Sequence, residues 1–229
     1  MLAREAAFQA LYAALQEESF VSDFLARWQE KDKPTAQDFG LAFEIASGSC
    51  RRGLTLDAIA KSLTPTGKLQ LKLKEKALLR TALYQRYFMD RIPLHAIVNE
   101  TVKVAKKCGM AGKSGFFNAL LRKTEQFTPS IPQENLSDYY SYPPILIQAF
   151  LDAYGEAETR SLLSLFNSAS LPMARKIGTN TFTLLHSSEE VKKLAQSSEY
   201  YIQNSTPSNL MRALIAEQAN SILDLCASP

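Results

Sequence analysis

The sequence predicts a mainly α fold. It reads as an all-helical bundle over residues 1–127, then a small α/β segment, then a closing stretch like the first strand and turn of a nucleotide-type fold. Three observations carry this. Apolar residues recur at helical spacing as far as Phe127. Residues 128–144, "TPSIPQENLSDYYSYPP", hold four prolines and no helical period, which reads as a linker. Beyond Pro172 come β-branched and aromatic runs, "TNTFTLL" and "EYYIQN", with "SILDL" near the end.

Within the helical part, Ala3, Ala7, Ala10, Leu11, Ala14 and Leu15 make one apolar stripe, and Phe20, Val21, Phe24, Leu25 and Trp28 a second. "KDKP" at 31–34 breaks the pattern. Asp38 to Ser47 restarts it with Phe39, Phe43 and Ala46, and Leu56, Ile59, Ala60 and Leu63 predict a short helix before "TPTG". "KEKALLRTALYQRYFMD" predicts a helix with Leu78, Leu79, Ala82, Leu83 and Tyr87 on its apolar stripe. "PLHAIVNETVKVAKKCG" opens near Pro93 and closes at Gly109, a residue suited to a left-handed cap, and "GFFNALLRKTEQF" follows a glycine-bearing loop. Two helices then flank Gly155. Ser187 with Glu190 forms a capping box, and Thr206 followed by Pro207 marks a last helix start.

Composition narrows the function classes. The chain has 229 residues, 46% hydrophobic and 21% charged. It contains no apolar run long enough for a transmembrane helix and no basic-then-apolar leader, so a cytoplasmic location is expected. Cys50, Cys108 and Cys226 have no paired spacing and the two histidines lie far apart, so neither a disulfide framework nor a metal site is predicted. Cys50 and Cys108 read as buried small hydrophobes.

The net charge of +3 hides an asymmetry. Residues 61–123 hold 14 basic and 3 acidic side chains, between two mildly acidic flanks. Such a segment is the electrostatic footprint of an RNA- or DNA-binding face, with a solvated lysine-rich surface as the bland alternative. The candidates for phosphate contact are Arg80, Arg86, Arg91, Lys103, Lys106, Lys107, Arg122 and Lys123, and the spacing puts Lys103, Lys106 and Lys107 on one helix face or its edge. Asn99 and Asn118 lie within apolar patterns and read as structural ties between helices.

"DRIPLHAIVNETV" followed by "FFNALLR" resembles the NusB family of helical RNA-binding domains, and "REAAFQALYAAL" looks like that family's first helix. The rest is similar to another group. "YSYPPILIQAFLDAYGE", "LFNSASLPMARK", "YIQNSTPSNLMRALI" and "ILDLCASP" resemble, in order, the stretch after the NusB-like domain in the RsmB (Sun) family. Members of that family make 5-methylcytosine in small-subunit ribosomal RNA with S-adenosyl-L-methionine. Departures occur at Pro144–Ile145, at "ARKIGTN" and at Gln203–Asn204.

The resemblance implies four parts: a NusB-like domain at 1–127, a linker at 128–144, a small helical and α/β RNA-binding subdomain at 145–204, and the start of a Rossmann-type methyltransferase domain at 205–229. It adds Arg175 to the RNA-contacting set. It puts Cys226, Ala227, Ser228 and Pro229 in the cofactor loop, with the chain stopping inside that motif. The family's nucleophile is a cysteine thiolate that adds to cytosine carbon 6, because carbon 5 is otherwise a weak nucleophile. By resemblance it lies downstream, so no catalytic residue is expected in this chain, and no methylation by these 229 residues alone. Small-subunit ribosomal RNA is the implied partner, with neither DNA nor membrane, and a monomer is expected over a dimer. The alternatives are a non-catalytic NusB-type factor in antitermination or ribosome assembly and a purely protein-binding helical domain.

Overall fold

The computed structural model describes residues 1–168 and 171–214. The chain divides into two compact units, Met1–Leu165 and Phe166–Pro229.

The first unit is organised on helix α1 (Ala3–Leu15), which is apolar on two sides. Ala3, Ala6, Ala7 and Ala10 pack with Leu25 and Trp28 of α2 (Val21–Asp32) and Ala42, Ile45 and Ala46 of α3 (Ala36–Arg51). Methyl-sized side chains on both α1 and α3 allow the two backbones to approach closely. Phe8 and Leu11 enter a larger core built with α4 (Gly53–Ser62), α5 (Leu73–Phe88), α6 (Leu94–Lys107) and α7 (Ser114–Lys123). Phe8, Leu56, Leu79, Leu83, Ile97, Phe117 and Leu121 are fully buried there. Each such side chain contributes about 1.5–3 kcal/mol through burial.

Local chemistry sets the helix ends. α2 closes at Lys33, in the left-handed region with φ 46, and Pro34 follows. Thr35 then caps α3, its hydroxyl accepting from the Asp38 N–H at 3.1 Å, so α3 starts two residues before the expected Asp38. Phe20 is the residue before α2 and is 79% exposed, outside the stripe expected of it. Gly109 ends α6 with φ +78, the cap its sequence predicts.

The proline-rich segment does not behave as a free linker. α8 (Leu136–Tyr140) lies on α4, where the Thr55 hydroxyl donates to Asp138 O at 2.7 Å and the Leu54 N–H donates to Ser141 Oγ at 3.0 Å. Leu136 joins Ile147 and Leu163 of α9 (Pro144–Asn167) in a third small core. The division between units therefore falls after Leu165, not at 128–144. Gly155, at φ 74 and ψ 173, kinks α9, so the two helices expected on either side of it meet end to end.

The second unit carries a three-stranded antiparallel sheet in the order β2-β1-β3, made of β1 (Met173–Lys176), β2 (Phe182–Leu184) and β3 (Tyr200–Ile202). β1, "MARK", has no strand signature in sequence and is the central strand. α10 (Ser188–Ala195) begins with the predicted Ser187–Glu190 capping box and packs on β3. α11 (Ser205–Leu214) starts one residue before Thr206, which places Pro207 within its first turn, where a missing N–H costs no hydrogen bond. The expected strand "SILDL" lies outside the described residues.

Candidate nucleic-acid interface

α6 and α7 are neighbours, and their polar edges face a common groove. On α6, Asn99 lies three and four residues before Val102 and Lys103, and these lie four and three residues before Lys106, the spacing of one helix face. Gly115 and Asn118 of α7 form the opposite wall, and the recess between them has a volume of about 430 Å³. It continues past Val98 and Asn99 to His95, Arg122 and Glu125. Lys106 is exposed and has no partner among the described residues. Lys103 is exposed too, with its ammonium 2.7 Å from Glu100 on its own helix. Arg122 donates through Nε to Asn118 Oδ1 at 3.1 Å, a bond that fixes the guanidinium and leaves the rest of its fork to the groove. Arg91 is exposed in the loop leading into α6.

The groove offers more than charge. Asn99, expected to tie helices together, is exposed and makes no such bond among the described residues, where Asn118 bonds to Arg122 alone. Ser114 Oγ is buried beside the recess without a hydrogen-bond partner among the described residues. These side chains and His95 supply further hydrogen-bonding groups between the cations. One signal in the sequence could have found them: Asn99–Lys103 and Asn118–Arg122 are both i, i+4 pairs, so each amide shares a face with a basic residue.

Other candidates for phosphate contact have work elsewhere. Arg80 is buried, 8% exposed, and its guanidinium bonds Asp57 twice, at 2.8 and 2.7 Å, with Lys76 also 2.8 Å from that carboxylate. It leaves the phosphate-contacting set, because a desolvated arginine in a bidentate pair has no fork left for RNA. Arg86 is half-buried, donates to Thr124 O at 3.0 Å and lies over the Tyr87 ring, so it ties α5 to the end of α7. Lys107 does not share the face of Lys103 and Lys106; its ammonium reaches α1 and bonds Glu5 at 2.6 Å. That hydrogen bond raises the lysine's pKa. Lys123 donates to Leu63 O at 3.2 Å while remaining exposed. Arg175 belongs to the second unit, on β1.

Cys50 is exposed on α3 and Cys108 is half-buried, accepting a bond from Gln9, so neither is the buried hydrophobe that was expected. Burial pushes the Cys108 thiol pKa up. Cys226, Ala227, Ser228 and Pro229 lie outside the described residues. Among the described residues no three His, Cys, Asp or Glu side chains gather as a metal would need, and no helix is long and apolar enough to cross a membrane.

Residues 1–126 match the NusB family. The chain belongs to that family. The match ends where α7 gives way to the proline-rich segment, so the NusB-family part contains the whole α6–α7 groove. Relatives extend the likeness further. A "Probable ribosomal RNA small subunit methyltransferase B" of Bacillus subtilis is 24% identical over 99% of this chain and 57% of its own length. A protein of the same name from Synechocystis sp. is 32% identical over 72% of this chain and 38% of its own length. The chain thus spans about two fifths to three fifths of the length of these relatives. The crystal structure of PH0851 superposes with a TM-score of 0.59 at 17% identity, over 85% of this chain and 44% of that one, which shows a shared fold.

Proposed function

We propose that this NusB-family chain carries the RNA-recognition part of an S-adenosyl-L-methionine-dependent 16S (small-subunit) ribosomal RNA cytosine-C5 methyltransferase. The observation that carries the reading is the extent of the likeness. It runs through the second unit as well as the NusB-family domain, and the relatives it runs along are small-subunit ribosomal RNA methyltransferases by name. A free-standing NusB-type factor accounts for the first 126 residues and leaves the rest without a role.

In this reading the α6–α7 groove holds the RNA backbone. Arg91, Lys103, Lys106 and Arg122 neutralise phosphates, while Asn99, Asn118 and His95 reach sugar or base edges. Holding the strand on both sides of its target lets a separate catalytic region draw the cytosine out of its stack. The cofactor supplies the methyl group when bound, and none of the described residues is assigned to it. Neither Cys50 nor Cys108 is assigned the nucleophile's role.

The test is a filter-binding series with a small-subunit ribosomal RNA fragment from 50 to 400 mM KCl. Four phosphate contacts give a slope of log affinity against log salt of roughly −3. A slope near zero overturns the RNA-binding reading. The chemistry is tested separately, by supplying the native gene's product with labelled S-adenosyl-L-methionine and unmodified small-subunit RNA. Label recovered as 5-methylcytosine supports the reading, and label in any other nucleotide, or in none, overturns it.

A further inference from the structure

The sheet of the second unit has one open face, and its residue pattern is unlike the groove's. Arg175 pairs with Phe182 on one side and Tyr201 on the other, so these three side chains form one row across all three strands. Residues in cross-strand register project from the same face. The adjacent row on that face holds Leu184 paired with Met173, and then Gln203, whose N–H donates to Met173 O. The opposite face is the packed one. Ala174 there has no exposed surface, and α10 lies against β3. On the other face Tyr201 is 57% exposed and Leu184 47%, while Phe182, Arg175, Met173 and Gln203 are half-buried; Thr183, in the row of Ala174, is also exposed.

Arg175 is held rather than free. Its Nε donates to Gln203 Oε1 at 3.0 Å and its Nη1 to Thr179 O at 3.3 Å, while Nη2 has no partner among the described residues. Two bonds therefore hold the guanidinium in place, in a residue that stands in register between Phe182 and Tyr201, and leave Nη2 as its unengaged donor among the described residues. The two rows carry no carboxylate. Glu199, the first in register, lies one row beyond, where the Ile177 N–H donates to its carbonyl. An aromatic–arginine–aromatic row fits a chain with alternating π faces and negative charges. Aromatic side chains on an open sheet stack unpaired bases, and arginine meets the intervening phosphate. A duplex cannot use such a surface, because its bases are already stacked on one another.

We propose that this face is a stacking surface for unpaired RNA nucleotides, with Tyr201 and Phe182 against bases and Arg175 on the phosphate between them. It rests on the RNA-binding reading above, although it is a separate site from the α6–α7 groove.

The experiment measures fluorescence anisotropy of a labelled oligocytidine octamer, and of a duplex of equal length, with the 229-residue chain and its variants. The expected result is tighter binding of the single strand, weakened about 5- to 100-fold by Tyr201→Ala with the salt slope unchanged, since stacking releases no counterions. Arg175→Gln is expected to flatten the slope by about 0.7. Tyr201→Phe keeps the ring and is expected to bind like the parent, which separates lost stacking from a disturbed fold. Unchanged binding by Tyr201→Ala overturns the proposal. If Lys106→Gln still flattens the salt slope in that case, the groove reading stands. Absence of binding by the parent chain to either RNA overturns both.

Discussion

The guanidinium of Arg80 grips the carboxylate of Asp57 by two bonds, Nε to Oδ1 at 2.8 Å and Nη2 to Oδ2 at 2.7 Å, and so clamps α5 to α4. Arg80 is 8% exposed, and Lys76, one helical turn away, joins the same carboxylate. Burial by itself would raise the pKa of Asp57. The hydrogen bonds and charges of Arg80 and Lys76 outweigh that and hold it below the ordinary carboxylate value. In a basic segment this arginine is a structural cation, so its removal tests folding rather than binding. Arg80→Ala leaves a mostly buried carboxylate with one partner and is expected to destabilise the chain by about 3 kcal/mol. A urea melt measures it, and a loss below 0.5 kcal/mol would show that the pair does not matter.

The same pair sets an acid dependence. Because the folded pKa of Asp57 is depressed, its stabilisation is present above the unfolded value, near 4, and is lost as pH falls through the folded value. Melting temperature is therefore expected to drop below about pH 4 in the parent and to drop less steeply in Arg80→Ala. Parallel acid limbs in the two proteins would contradict this.

Gly48 is where α3 passes the ring of Tyr84. A Cβ added there would lie 1.9 Å from Tyr84 Cζ, and the Tyr84 hydroxyl is anchored to Glu44 Oε1 at 2.5 Å. The ring cannot swing aside without breaking that bond. Gly48→Ala is expected to cost about 1–3 kcal/mol, a fall of several degrees in Tm by differential scanning fluorimetry. The double change with Tyr84→Leu is expected to recover part of the loss.

At the groove, stability and binding should come apart. Lys106→Gln and Arg122→Gln together remove two exposed cations and are expected to flatten the salt slope by about 1.5, with Tm within a degree of the parent. Lys107→Gln, whose ammonium is engaged by Glu5, is expected to change the slope less than Lys106→Gln does. Equal effects of Lys106 and Lys107 would show that the cations act as a diffuse cloud instead of a site.

Asn99→Ala separates the two roles open to that residue. Asn99 is exposed on the groove wall, so the change is expected to leave Tm within a degree of the parent while weakening RNA binding several-fold. A fall of several degrees in a thermal melt would return Asn99 to the structural role that its apolar surroundings in sequence imply.

By itself the sequence determined the helices and the basic segment, because both follow from local rules. Apolar spacing is a property of one helix, and capping residues such as Gly109 and the Ser187–Glu190 pair act within a turn. What each cation does was decided by the tertiary structure. Arg80 and Lys106 are both cations of the same charged stretch, yet one meets Asp57 of α4, 23 residues away in sequence, and the other meets solvent. Likewise Lys107 reaches Glu5 across 102 residues, a pairing that no helical period encodes. The central strand β1 is a further case. "MARK" has little intrinsic strand preference, and it becomes a strand because β2 and β3 satisfy its backbone on both edges. Local patterns fix what a segment can be. Partners brought from far along the chain fix which charges are spent on the fold and which stay exposed to solvent.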